Sequence, residues 1–159
     1  MTCCLNALCG KARAIVTEGT MRRIHQSFTC SDSGTKSELA VRFSQSAQGI
    51  AFVTDHVIPL GGVASCDWGV CHCDARQAMC KGLLIELKGR NFSHAVEQLA
   101  STYSAMRTSW PKLKIVRTCA VLRGRQIPSV KSSDYRIVGQ CKLPNFKHFR
   151  ARKGLSVQV

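Results

Sequence analysis

The stretch CKGLLIELKG, residues 80–89, decides how this chain is read. It is short, rich in branched apolar residues and closed by a glycine, so it reads as a buried strand. Alternation along a strand puts Leu83, Ile85 and Leu87 on one face and Leu84, Glu86 and Lys88 on the other. An acid and a base two residues apart therefore point the same way out of an apolar strand. Residues 65–73 read as the preceding strand, with the polar DARQAM between the two as a turn. If that turn centres between Arg76 and Gln77, Cys73 faces Cys80, Gly69 faces Leu84 and Asp67 faces Glu86. Directly opposed residues have Cβ atoms about 4.5–5.5 Å apart, and two carboxylates at that distance repel. A divalent cation between them reverses the sign of the interaction, and hard oxygen ligands suit Mg²⁺ or Mn²⁺. A one-residue slip in register would turn Asp67 to the other face, and the competing reading puts Asp67 in the turn after Gly61-Gly62 and makes Glu86–Lys88 a surface ion pair.

Outward from this hairpin the chain alternates strand and helix patterns. Phe92, Ala95, Val96, Leu99, Ala100, Tyr103 and Met106 recur at helical spacing, so residues 92–107 form a helix, capped by Asn91 or Ser93 and stopped before Pro111. Residues 113–122, LKIVRTCAVL, read as a buried strand. Residues 38–43 and 50–58 read as strands around the turn SQSAQG, and residues 134–141 as a short strand or helix. Residues 1–36 lack clear periodicity and read as a short helix near Leu5–Val16 followed by a loose segment. The expectation is one domain over 1–159 of α/β class: a loosely attached segment 1–36, a core 38–122 and a basic C-terminal segment 142–159.

Asp67, eighteen intervening residues, then Glu86-Leu87-Lys88 and an amphipathic helix resemble the PD-(D/E)XK nuclease superfamily. The run VASCDWGV…GLLIELKGRNFSHAVEQLAST is similar to its small bacterial or phage-type members, over about residues 50–107 and extending to 122. The resemblance implies a restriction-endonuclease-like mixed β-sheet flanked by helices. It implies Asp67 and Glu86 as metal ligands together with the backbone carbonyl of Leu87. Lys88 would position the attacking water and stabilise charge in the transition state. An upstream Glu often completes such a site, and Glu38 is the candidate by position. Cys66 stands where the pattern has its nominal Pro. Gln98 and Tyr103 are one residue too far apart for the Gln-x3-Tyr motif of one large branch. Independently of the family, phosphodiester hydrolysis needs an activated water and charge neutralisation, which a carboxylate-held cation and a neighbouring lysine supply. His94 and Gln98, four apart on the helix after the strand, share a face and are candidate contacts to phosphate or water, against the plainer reading of a solvated helix face.

Composition points to the same class of partner. The chain has 159 residues with 23 Lys+Arg against 9 Asp+Glu, a formal net charge of +14 and a pI near 9.8. Such a surface attracts polyanions, nucleic acid first. Lys112, Lys114, Arg123, Arg125, Lys147, Arg150, Arg152 and Lys153 are the candidate phosphate contacts, with Phe146, His148 and Phe149 interleaved among the last of them. That mix suits base stacking, or equally a basic tail with two core phenylalanines. Nothing resembles a recognition helix, so phosphate contact without base readout is expected. No run of 18 uncharged apolar residues exists, so no membrane partner is expected.

The ten cysteines include Cys66-x4-Cys71-His72-Cys73-x6-Cys80, which lacks the paired Cys-x2-4-Cys of a zinc knuckle. Small buried thiols are the main expectation, structural Zn²⁺ the weaker one. The opening MTCCLNALCG does not read as a secretory signal, so a cytoplasmic location with reduced thiols is expected. The sequence thus reads as a Mg²⁺-dependent phosphodiesterase on nucleic acid, DNA before RNA. The alternatives are a non-cleaving basic nucleic-acid-binding module on the same fold and a zinc-stabilised interaction protein. A homodimer is compatible, since cutting two strands favours two active sites.

Overall fold

In a computed structural model, the structure describes residues 21–24, 27–32, 34, 37–42, 48–57, 62–73, 80–88, 91–111, 113–123, 132–151 and 154–158. It has mixed α/β architecture in three layers. The central layer is a six-stranded sheet in the order β1 (Met21–Ile24), β4 (Gln48–Val53), β5 (Trp68–Cys73), β6 (Cys80–Lys88), β7 (Leu113–Leu122), β8 (Lys147–Arg150). β1, β4, β5 and β6 pair antiparallel; β6–β7 and β7–β8 pair parallel. The parallel steps follow from the connections, because each crossover carries a helix: α1 (Phe92–Ser109) and α2 (Ser132–Gln140). β2 (Ser27–Asp32), β3 (Ser37–Arg42) and β9 (Ser156–Gln158) form a smaller sheet in the order β2-β3-β9.

The alternation of β6 builds both cores. Leu84 points toward Ala95, Val96, Leu99 and Met106 of α1, in a cluster with Ile50, Phe52, Ala120 and Leu122. Leu83, Ile85 and Leu87 point the other way, toward Leu39, Val41 and Val157 of the small sheet. The second face of the central sheet is therefore covered by strands; among the described residues, helices lie on one face alone. Asn91 caps α1 by accepting the His94 backbone N–H at 3.0 Å. The Phe52 ring occupies the space a Cβ on Gly69 would need, which explains a glycine in this central strand.

Two expectations are corrected. Residues 21–32, expected to be loose, form β1 and β2; β1 is a strand of the central sheet and β2 lies in the smaller one. β3 and β4 do not pair as a hairpin but belong to different sheets. The reason is burial: β4 presents Ile50 and Phe52 to the helix side and Ala51 to the small sheet, as an interior strand must. The basic tail, read as ending in a strand, does so: β8 extends the central sheet and β9 pairs with β3. The segment at 134–141 is helical, as α2. The helix expected near Leu5–Val16 falls outside the described residues.

Candidate active site

The β5–β6 ladder pairs Cys73 with Cys80, Gly69 with Leu84 and Trp68 with Ile85, and there it ends. One step further, Asp67 stands across from Glu86, and side chains take over the role of the ladder bonds. The Asp67 backbone N–H donates to Glu86 Oε2 at 3.0 Å, and the Leu87 N–H donates to Asp67 Oδ2 at 2.6 Å. Each carboxylate thus holds the backbone of the opposite strand. A strand residue's N–H and C=O leave from the same edge, so the Leu87 carbonyl also faces the Asp67 side. Lys88 Nζ lies 2.9 Å from Glu86 Oε1. Glu86 is fully buried and the Lys88 side chain is 26% exposed, so this is not a surface ion pair.

The electrostatics are those of a crowded anionic site. Burial pushes the Glu86 carboxyl up to about 7; repulsion from Asp67 adds to this, and Lys88 opposes it. Asp67 is also raised, first by burial, against the hydrogen bond from Leu87 and the charge of Lys88. Asp32 and Asp55 push it the same way. The sequence reading missed these two acids. Asp55 lies two residues beyond the end of β4, whose Val53 pairs with Trp68, so it arrives at the same sheet end as Asp67. Asp32 ends β2 and is brought near by stacking of the two sheets: Trp68 Nε1 donates to the Ser31 carbonyl at 3.2 Å, and its ring lies 5.2 Å from that of Phe28.

Helix α1 fixes the chain just before Asp67. Gln98 Nε2 donates to the Ser65 carbonyl at 2.6 Å, and Thr102 Oγ1 accepts from the Cys66 N–H at 2.8 Å while donating to the Gln98 carbonyl at 2.8 Å. Gln98 and Thr102 are both buried. Gln98 is therefore a loop anchor rather than a group on a solvated face. His94 is exposed on the first turn of α1 and makes none of the contacts that join Asp67, Glu86 and Lys88. Glu38 is exposed on β3 of the small sheet and is likewise not brought to the pair.

The cysteines near the site are buried thiols. Burial pushes Cys66 up to about 12, and Cys71 is fully buried and not disulfide-bonded. Cys80, expected to be reduced, is disulfide-bonded. Among the described residues no group of three or more His, Cys, Asp and Glu side chains is arranged to hold a metal ion. Any ion at Asp67 and Glu86 would complete its shell from the Leu87 carbonyl, water and substrate, as Mg²⁺ commonly does.

Of the candidate phosphate contacts, Arg123, Lys147 and Arg150 lie at the Glu86 end of the sheet: the Arg123 N–H donates to the Lys88 carbonyl, and Arg150 pairs with Leu122. Lys114 pairs with Lys81 at the opposite end of β6 and is separated from the site. Lys112, Arg125, Arg152 and Lys153 lie outside the described residues. No helix among the described residues is long and apolar enough to cross a membrane. Comparison with protein-family models, with curated proteins and with solved structures finds no significant match.

Proposed function

We propose that this chain is a metal-dependent nuclease that hydrolyses phosphodiester bonds in nucleic acid, with DNA placed before RNA. The observation that carries the reading is the buried Glu86 carboxylate, opposed by Asp67 and contacted by Lys88 at the open end of a strand pair. Two opposed, half- to fully buried acids in a chain with nine acids destabilise the fold unless a cation joins them. The resemblance of Asp67…Glu86-Leu87-Lys88 to the PD-(D/E)XK pattern and the mixed sheet with a helical crossover support the same reading.

Asp67, Glu86 and the Leu87 carbonyl would hold Mg²⁺ or Mn²⁺. When bound, such an ion lowers the pKa of a water and neutralises phosphate charge. The chain's own groups do the rest. Burial keeps the two carboxylates' field strong. The reciprocal backbone bonds fix their orientation. The Lys88 ammonium supplies a fixed positive charge beside the position where negative charge develops. Arg123 and Arg150 place cationic groups at the same sheet end for the flanking phosphates.

Nicking of supercoiled plasmid by purified protein tests this. Cleavage should require Mg²⁺ or Mn²⁺ and should disappear in Glu86→Ala and Lys88→Ala. Salt-dependent DNA binding with no cutting at any metal concentration would instead establish the binding module.

A further inference from the structure

The basic C-terminal stretch packs two partly buried phenylalanines against the two cores and carries a third, also partly buried, ring between them. Phe146 packs on the helix side, edge-on to Phe92 at 5.9 Å, and Phe149 packs toward the small sheet. His148, between them, is only partly covered. Its ring stands edge-on to Phe92 at 5.5 Å and 6.5 Å from the ring of Tyr135 on α2. Tyr135 is 50% exposed, one of two large apolar side chains left open to solvent among the described residues. The buried Phe92 ring supports both, 6.4 Å from Tyr135. An aromatic group held rigidly by its neighbours yet half open to water has unused stacking surface.

The register places this surface. Glu86 pairs with Ala120, and Ala120 pairs with His148, so Glu86 and His148 lie in one row across β6, β7 and β8, on the same face of the sheet. Two strand spacings separate them, roughly 10 Å. The next row runs Lys88, Leu122, Arg150. Arg136, exposed and next to Tyr135 in α2, and Arg150, exposed two residues after His148 in β8, put positive charge on the two elements that carry the rings. Aromatic faces between cationic side chains suit a strand whose bases are unstacked; a paired duplex presents no free base face.

We propose that Tyr135 and His148 form a stacking platform for an unpaired nucleobase of the bound strand, about two strand spacings from the Asp67–Glu86 pair, so that the chain engages single-stranded or locally unpaired nucleic acid. This rests on the nuclease reading for its placement beside a cleavage site, but the platform itself is tested without cleavage. Full-length protein in a chelator is titrated against single-stranded DNA, single-stranded RNA and a blunt DNA duplex of equal length, followed by anisotropy. A 2-aminopurine in each single strand reports stacking by quenching.

Tyr135→Ala should weaken single-strand binding about tenfold, abolish the quench and leave duplex affinity and the salt dependence unchanged. Tyr135→Trp should restore both affinity and quench. Arg136→Ala and Arg150→Ala should weaken single strand and duplex alike and flatten the salt dependence. The DNA and RNA arms show which sugar the platform accepts. Equal losses on single strand and duplex in Tyr135→Ala, no loss at all, or failure of Trp to rescue overturns the proposal. Absence of cleavage with the platform intact would count against the nuclease reading alone.

Discussion

At one end of the β5–β6 hairpin Cys73 stands opposite Cys80; at the other, Asp67 stands opposite Glu86. The geometry is the same and the energetics are opposite. Cys80 is fully buried among apolar neighbours and disulfide-bonded, so packing and a covalent cross-link both stabilise its place in the fold. The Glu86 end buries negative charge that Lys88 offsets only in part, and both carboxyls are raised from their ordinary values. A hairpin that needed only to fold would carry apolar residues at both ends. On the proposed reading the Glu86 end is the one kept for a ligand, and the contrast can be broken experimentally from either side.

The largest effect is expected at the acid end. Glu86→Gln should lower plasmid nicking by more than about 10³-fold and Lys88→Ala by about 10²–10³-fold, the scale of a lost electrostatic catalyst, as measured by initial rates in Mg²⁺. The same Glu86→Gln protein should be more stable than wild type when metal-free, which no damage to the fold would produce.

The pH dependence sharpens the point. Below about pH 4.5 Glu86 is protonated in both folded and unfolded chains. From there to about 7 the unfolded chain releases the proton and the folded one retains it, so metal-free stability falls across that window and stays low above it. The raised Asp67 carboxyl acts in the same direction. Urea unfolding at pH 5 and pH 8 should show a fall on the order of 3 kcal/mol that Glu86→Gln largely removes. Added Mn²⁺ should recover it in wild type alone.

At the cysteine end, Cys80→Ala should cost about 2 kcal/mol in the same unfolding assay and leave the Mn²⁺ response intact. The smallest effect is expected one layer out. Thr102→Val removes the acceptor of the Cys66 N–H and so loosens the chain before Asp67. Calorimetry should show Mn²⁺ affinity reduced about tenfold, as for other groups that orient ligands, with recovery in Thr102→Ser.

Much of the site was legible because its elements are local. β6, β7 and α1 follow from alternation and from the spacing of Phe92, Ala95, Val96, Leu99 and Met106. The opposition of Asp67 and Glu86 follows from a short turn between two strands, where register is counted directly. The mistaken readings involve contacts between distant segments. β1 and β2 have no clear periodicity, and their place comes from pairing with β4 and β3. Glu38 and Asp32 look alike as upstream acids; the sheet stacking carried by Trp68 and Phe28 selects Asp32. Gln98 and Thr102 look like polar helix positions until the loop at Ser65 and Cys66 closes on them.

The amino-acid sequence alone determined the strongly basic charge, the α/β class and the facing of one aspartate and one glutamate, because these depend on composition, on short-range periodicity and on a tight hairpin. Tertiary structure decided which other groups share that end of the sheet. His148 and Arg150 reach the rows of Glu86 and Lys88 through two parallel crossovers, and Tyr135 is supported by a ring from another helix. Parallel register is not set by a turn; it is set by how the helices pack, and that becomes defined only when the whole core is formed.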